Sequence, residues 1–193
     1  MWQIAGAAMT TPAFWISYFA WILMEIWIFS RDLRTAPGER KDRGSVFVIT
    51  ATISAGQILA FYAPHLWPWA RIGLPVFWPG VALVWIGIGL RVWAVQTLGR
   101  HFRTAVRILD GHQLVTHGPY RVLRHPSYTG GLMTVAGIGL MLGNWLSFAA
   151  AFGGIFVGYA VRILVEEAAL WEHFGDAFAA HKKRTWAVLP PLW

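Results

Sequence analysis

Cysteine is absent from the 193 residues, which at once excludes disulfides, thiolate metal sites and a cysteine nucleophile. Charge is scarce as well. Asp, Glu, Lys and Arg together make up 13% of the chain against 56% apolar residues, and mean hydropathy is +0.49. A soluble domain carries about a quarter charged residues, so this composition belongs to a helical membrane protein. No two histidines are adjacent, and the pairs His112/His117 and His173/His181 are too widely spaced for the clustered histidine boxes that hold iron in membrane desaturases and hydroxylases. Metal catalysis is therefore not expected. Internal repeats and low-complexity stretches are also missing. Gly87, Gly89, Gly137, Gly139 and Gly143 do not form a nucleotide-binding fingerprint, because no strand or soluble βαβ unit surrounds them; close helix packing in lipid accounts for them better.

What the chain has in abundance is apolar runs. Phe14 to Phe29 reads as a retained span, since no small-residue cleavage pattern follows it. Glu25 lies within that run, near its charged end, and is expected to reach the interface. A polar linker, Arg31 to Ser45, turns at Pro37-Gly38. Val46 to Pro64 forms a second span ended by Pro64, and Trp67 and Trp69 suit an interfacial belt. Val76 to Val95 is a third span, with Arg91 near its end snorkelling or facing a polar cavity. From Gly131 to Leu164 there is room for two short crossings turning around Asn144, each near the lower limit of about 17 residues. The tail from Glu166 is polar enough to leave the membrane, with Leu170, Trp171, Phe174 and Phe178 forming one apolar helical face.

The expected fold is thus an all-α polytopic membrane protein with about five transmembrane helices, the last two a short hairpin, plus a cytosolic C-terminal helix. Residues 1–95 serve as membrane anchor and 96–193 as the functional half of one integrated domain. Lys and Arg gather in the first linker, between Arg100 and Arg124, and at Lys182-Lys183-Arg184, whereas the other connecting loop has only Arg71. Five crossings put all three basic segments on one side. By the positive-inside rule that side is cytoplasmic and the N-terminus is outside.

Polar chemistry is densest from His117 to Gly131, where Arg121, Arg124 and His125 stand among two prolines and two tyrosines. Pro126 lacks an N–H and pushes His125 toward an extended conformation, so a shaped, non-helical turn is expected here. Gly130 and Gly131 allow the chain to approach a packed apolar region closely. Farther on, Arg162 and Glu166 are one helical turn apart and share a face, while Glu167 is rotated by roughly 100°.

These residues resemble the isoprenylcysteine carboxyl methyltransferases and their phospholipid-methyltransferase relatives. The resemblance rests on Leu98 to Phe102, His112 to Val115, the Arg-His-Pro-x-Tyr-x-Gly signature at Arg124 to Gly130, then Arg162, Glu166-Glu167, Phe174-Gly175 and Pro190. It covers the half from Arg91 onward. It implies an S-adenosylmethionine-dependent enzyme whose acceptor is lipophilic and membrane-borne, most simply a prenylcysteine-like carboxylate. It also implies cofactor contacts at His112, Gln113, Leu114, Val115, Tyr120, His125, Pro126, Ser127, Tyr128 and Glu166, with Arg162 facing the substrate. Arg107 stands where the eukaryotic prenylcysteine enzymes carry a glutamine contact.

The chemistry of such a donor fits these residue types: its carboxylate needs cationic or N–H donors, its amine and ribose need acceptors, and its adenine needs an apolar slot. A carboxylate acceptor is already ionised and needs only orientation by Arg162. An amine or thiol acceptor would have to lose a proton, for which Glu167 or a histidine is the candidate. The implied partners are the bilayer and a lipophilic or lipidated acceptor, with no nucleic acid and no metal. Competing readings are a phospholipid N-methyltransferase, a small-thiol S-methyltransferase, an NADPH-dependent membrane reductase, and a non-enzymatic scaffold or lipid-binding protein.

Overall fold

The computed structural model describes residues 9–33, 39–40, 44–99, 107–108 and 114–191. These fold into helices α1 (Pro12–Leu33), α2 (Ser45–Leu66), α3 (Phe77–Leu98), α4 (Pro126–Met141), α5 (Trp145–Phe174) and α6 (Asp176–Lys182). Apart from one antiparallel pairing of Glu39–Arg40 with Arg107–Ile108 and two isolated bridges, no strand occurs among the described residues. The all-helical expectation holds. α1, α2, α3 and α5 are each long and apolar enough to cross a bilayer. α4 has 16 residues. At 1.5 Å per residue it spans about 24 Å, short of a hydrocarbon core of about 30 Å.

α4 is the buried centre of the molecule, packed between α3 and α5, while α2 lies along α5 and α1 along α3. Backbones meet almost directly in these contacts. A Cβ placed on Gly87 would stand 2.6 Å from the Gly130 carbonyl, and one on Gly137 would stand 2.6 Å from the Gly80 carbonyl. Gly56 and Gly154 do the same for α2 and α5. Small residues at such crossings let helices approach where lipid removes the hydrophobic drive for association. Two of the glycines assigned to packing by sequence behave otherwise. Gly89 has no atom within 4 Å of its would-be Cβ, and Gly143 takes φ +65° to end the hairpin turn.

The α4–α5 hairpin does turn at Asn144. Its Oδ1 accepts from the Leu146 and Ser147 amides at 2.9 and 3.2 Å, capping α5, and its Nδ2 donates to the Trp67 carbonyl at 2.9 Å. The tip is thereby tied to the α2–α3 loop. The arms, however, are unequal: α5 has 30 residues and continues past Glu166 to Phe174, where Gly175 ends it. Polar side chains do not stop a helix that lacks a Gly or Pro breaker. Pro64 does not end α2 either, since the helix runs to Leu66. Proline withholds the N–H owed to the Ala60 carbonyl, and Ser147 Oγ donates to that carbonyl instead at 2.7 Å.

Directions follow from side-chain pairs. Trp85 Nε1 donates to Ser17 Oγ at 3.2 Å and Arg91 pairs with Glu25, so α1 runs parallel to α3. Its Pro12 end lies toward the Asn144 tip and its Leu33 end toward the Arg-His-Pro motif. After α6 the chain doubles back beneath that motif. The Arg124 and His125 amides donate to the Trp186 and Ala187 carbonyls at 2.7 and 3.0 Å, and Thr129 Oγ1 donates to the Val188 carbonyl at 2.8 Å.

Candidate active site

The turn expected around Pro126 is a 3₁₀ segment over Gly118–Arg121 followed by His125 at the head of α4. Pro126 itself is the first helical residue, a position where a missing N–H costs nothing and a fixed φ helps. Ser127 to Gly131 are therefore helical instead of part of the turn. Placing the signature in the first turns of a buried helix points Ser127 and Tyr128 into the bundle.

Tyr128 is the junction of the site. Its hydroxyl donates to Glu166 Oε2 at 2.5 Å and accepts from Arg162 Nε at 3.2 Å. Its ring stacks on His125 at 5.5 Å and tilts against Tyr159 at 4.6 Å. Arg162 is 2% exposed and also donates from Nη1 to Ser45 Oγ at 2.8 Å. Arg162 and Glu166 do share a face of α5, joined through this one phenol. Glu167, turned away as its helical angle requires, meets other groups. Arg124 Nε donates to its Oε1 at 2.8 Å, Lys182 Nζ donates to its Oε2 at 2.6 Å, and His125 Nε2 lies 3.3 Å from Oε1. Arg124 Nη1 also donates to the Thr185 carbonyl, which ties the motif to the returning tail.

On the other side of Tyr128 lies a cavity of about 410 Å³. Ile49, Ile53 and Ile155 give it apolar walls, and Arg162, Arg91 and Glu25 give it charge. Arg91 Nη2 donates to Glu25 Oε2 at 2.9 Å; Nε comes within 2.9 Å of Oε1 as an ion contact without hydrogen-bond alignment. Arg91 Nη1 reaches the Ser127 carbonyl at 2.9 Å, Ser127 Oγ at 3.1 Å and Tyr159 Oη at 3.3 Å. Of the two readings open for Arg91, the polar cavity is correct. Glu25 does not reach for the interface; its partner is a guanidinium inside the bundle.

The structure thus brings together His125, Ser127, Tyr128, Arg162, Glu166 and Glu167. Tyr120 is buried nearby, its hydroxyl donating to the Ala94 carbonyl at 3.4 Å, and burial followed by the Glu166 carboxylate pushes its pKa well up, so it stays protonated. Leu114 and Val115 lie half-buried on the approach to the motif. His112 and Gln113 fall outside the described residues. Of Arg107 only the backbone is described, paired with Arg40.

A profile of the phospholipid methyltransferase family matches residues 76–177, more than half the chain. The chain belongs to the phospholipid methyltransferase family. A rice protein (Oryza sativa subsp. indica) named probable protein-S-isoprenylcysteine O-methyltransferase is 38% identical over 117 residues, 60% of this chain and 61% of the rice protein. The protein-S-isoprenylcysteine O-methyltransferase B of Arabidopsis thaliana is 34% identical over 113 residues, 58% of this chain and 57% of its own. The chain therefore spans about three fifths of each plant protein. The human protein-S-isoprenylcysteine O-methyltransferase is 28% identical over 190 residues, 90% of this chain and 65% of that protein. The solved structure of a eukaryotic intramembrane Ras methyltransferase, isoprenylcysteine carboxyl methyltransferase, superimposes with a TM-score of 0.67 at 20% identity, over 96% of this chain and 70% of that one. This family member is thus an integral membrane protein with that fold.

Sequence reasoning missed Ser45, Tyr159 and the Arg124–Glu167–Lys182 contacts, and it misjudged Glu25. Tyr159, the tyrosine in the last apolar run, and the opposite charges of Glu25 and Arg91, both inside spans, were the available signals. Nothing in the sequence pairs residues 66 positions apart.

Proposed function

We propose that this protein is an S-adenosylmethionine-dependent methyltransferase whose acceptor is a lipophilic, membrane-borne carboxylate of the S-prenylcysteine kind. The observation that carries the reading is the Tyr128 hydroxyl. It joins Arg162, on the wall of a largely apolar cavity, to Glu166 on the opposite side. One guanidinium suits the acceptor's carboxylate and the apolar walls suit its chain.

The groups beyond Tyr128 suit the cofactor: Glu166 is an acceptor suited to an amine or ribose hydroxyl, His125 is polar, and Tyr120 contributes an aromatic edge, while Ser127 would reach it from the Arg91 side of α4. His112 to Val115 and Pro126 complete the contacts in this reading. Once bound, the cofactor supplies a methyl group on a cationic sulfur. The chain's own residues hold the acceptor in line and keep water out, which is where the rate enhancement of a displacement arises. Arg162 orients an acceptor already ionised at neutral pH. Glu167 is reserved for holding His125, and only an amine or thiol acceptor would call on it as a base. Residues 96–193 bear the cofactor, while residues 1–95 anchor the chain and contribute Glu25, Ser45 and Arg91 to the acceptor side. The motif faces the cytoplasm, the side on which the basic segments gather.

Transfer of labelled methyl from S-adenosylmethionine by the purified protein tests the assignment. An S-prenylated cysteine is expected to be methylated as a base-labile ester, and the cofactor to raise the melting temperature by mass action while NADPH does not. Label appearing only on an aminophospholipid would transfer the assignment to N-methylation. Stabilisation by NADPH alone would make the protein a reductase.

A further inference from the structure

Two guanidiniums border the same cavity, yet a single acceptor carboxylate can be productive on only one of them. Arg162 touches Tyr128 and hence the cofactor side. Arg91 enters from α3 farther along the wall and is closed by Glu25 of α1 through both carboxylate oxygens. Trp21 Nε1 donates to Glu25 Oε1 at 3.3 Å and steadies that carboxylate from one turn earlier. Both residues line the cavity, the Glu25 side chain 34% exposed and the Arg91 side chain 10% exposed. Of the paired groups, Glu25 is the more accessible and Arg91 the more covered.

We propose that Glu25 is a specificity residue that acts as a resident carboxylate: it occupies Arg91 and so denies that guanidinium to the acceptor, whose carboxylate the proposed function assigns to Arg162 beside Tyr128. The inference rests on the carboxylate-acceptor reading. It goes further in giving the N-terminal helix a role in selecting how the acceptor binds. Without Glu25, a carboxylate would bind Arg91 in its place, with its reactive oxygens held away from Tyr128 and Glu166. Such binding is tight and unproductive.

The test uses the full chain in detergent, with an S-prenyl thioether carboxylic acid and its methyl ester as calorimetric probes. Glu25→Gln is expected to bind the acid about tenfold more tightly than the wild type does, the scale of one charged hydrogen bond, and to bind the ester no differently. Glu25→Gln/Arg91→Gln should lose that gain. In turnover, Glu25→Gln should lower kcat and KM by a common factor and retain kcat/KM, the signature of unproductive binding; a merely misplaced site would lower kcat/KM. Should Glu25→Gln not fold, Glu25→Asp, which keeps the charge but loosens the bidentate pair, should show intermediate tightening. Unchanged acid affinity in these variants, or a gain that survives in the double variant, overturns the inference. The binding measurements need no catalysis, so they stand apart from the methyl-transfer assay: a wild type that never methylates a prenylated carboxylate counts against the enzyme reading alone.

Discussion

Tyr128 shows how much a single hydroxyl can connect. It accepts from Arg162 and donates to Glu166, so the two residues assigned to acceptor and cofactor are coupled through one atom. Arg162→Ala is expected to leave cofactor affinity nearly intact and to abolish most turnover, because only acceptor orientation is lost. Glu166→Ala should weaken cofactor binding by roughly tenfold to a hundredfold, the range of a charged hydrogen bond. Tyr128→Phe should do a little of both. Calorimetry and methyl transfer on the same purified variants check this. Loss of cofactor binding in Arg162→Ala as complete as in Glu166→Ala would make the pair one structural unit and end the division of roles.

Among the helices, the close crossings of α3 with α4 set the positions of Arg91 and Ser127. Gly87→Ala would bring a Cβ to 2.5 Å from Thr134 Oγ1 and 2.6 Å from the Gly130 carbonyl, so the helices must part. Overpacking of this kind costs about 1–3 kcal/mol. Gly89→Ala, on the same helix with nothing within 4 Å, should be neutral or stabilising by up to about 1 kcal/mol, since alanine favours helix more. Melting temperatures in detergent separate the two, and equal shifts would mean that the crossing is not close-packed. The sequence showed where the helices lie and that Asn144 turns the hairpin, because hydropathy and capping are local signals. It also showed that Arg162 and Glu166 share a face, since helical phase is local too. The length of α5 was readable as well, since no Gly or Pro stands between Gly158 and Gly175, whereas Pro64 inside α2 was not, because it depends on Ser147 from another helix. Glu25 was misjudged for the same reason: its partner comes from another helix.

At the scale of the whole molecule, the shortness of α4 matters most. Its far end is fixed at the Asn144 tip beside the α2–α3 loop, so its head, with His125 to Tyr128, ends about 24 Å below that level, still within a hydrocarbon thickness of about 30 Å. With the Asn144 tip level with one face of the hydrocarbon core, the proposed site stops short of the other face, and the lipophilic acceptor proposed for it need not leave the membrane to reach it. The parallel course of α1 and α3 puts Pro12 on the side of the Asn144 tip and the tail on the motif side. A reporter fused after Trp193 is expected to read cytoplasmic, and one placed before Met1 external. Both on one side would remove a crossing.

The returning tail has a consequence for how the protein is made. Thr129 hydrogen-bonds Val188, which is 59 residues later in the chain. At roughly 5–20 residues per second of synthesis, about 3–12 s pass between the translation of the motif and that of its partner. During that interval the amides of Arg124 and His125 lack the Trp186 and Ala187 carbonyls that they hold in the finished fold. A chain cut short before Thr185 keeps every long apolar helix but lacks the carbonyls that back the head of α4, so it is expected to insert without fixing the motif.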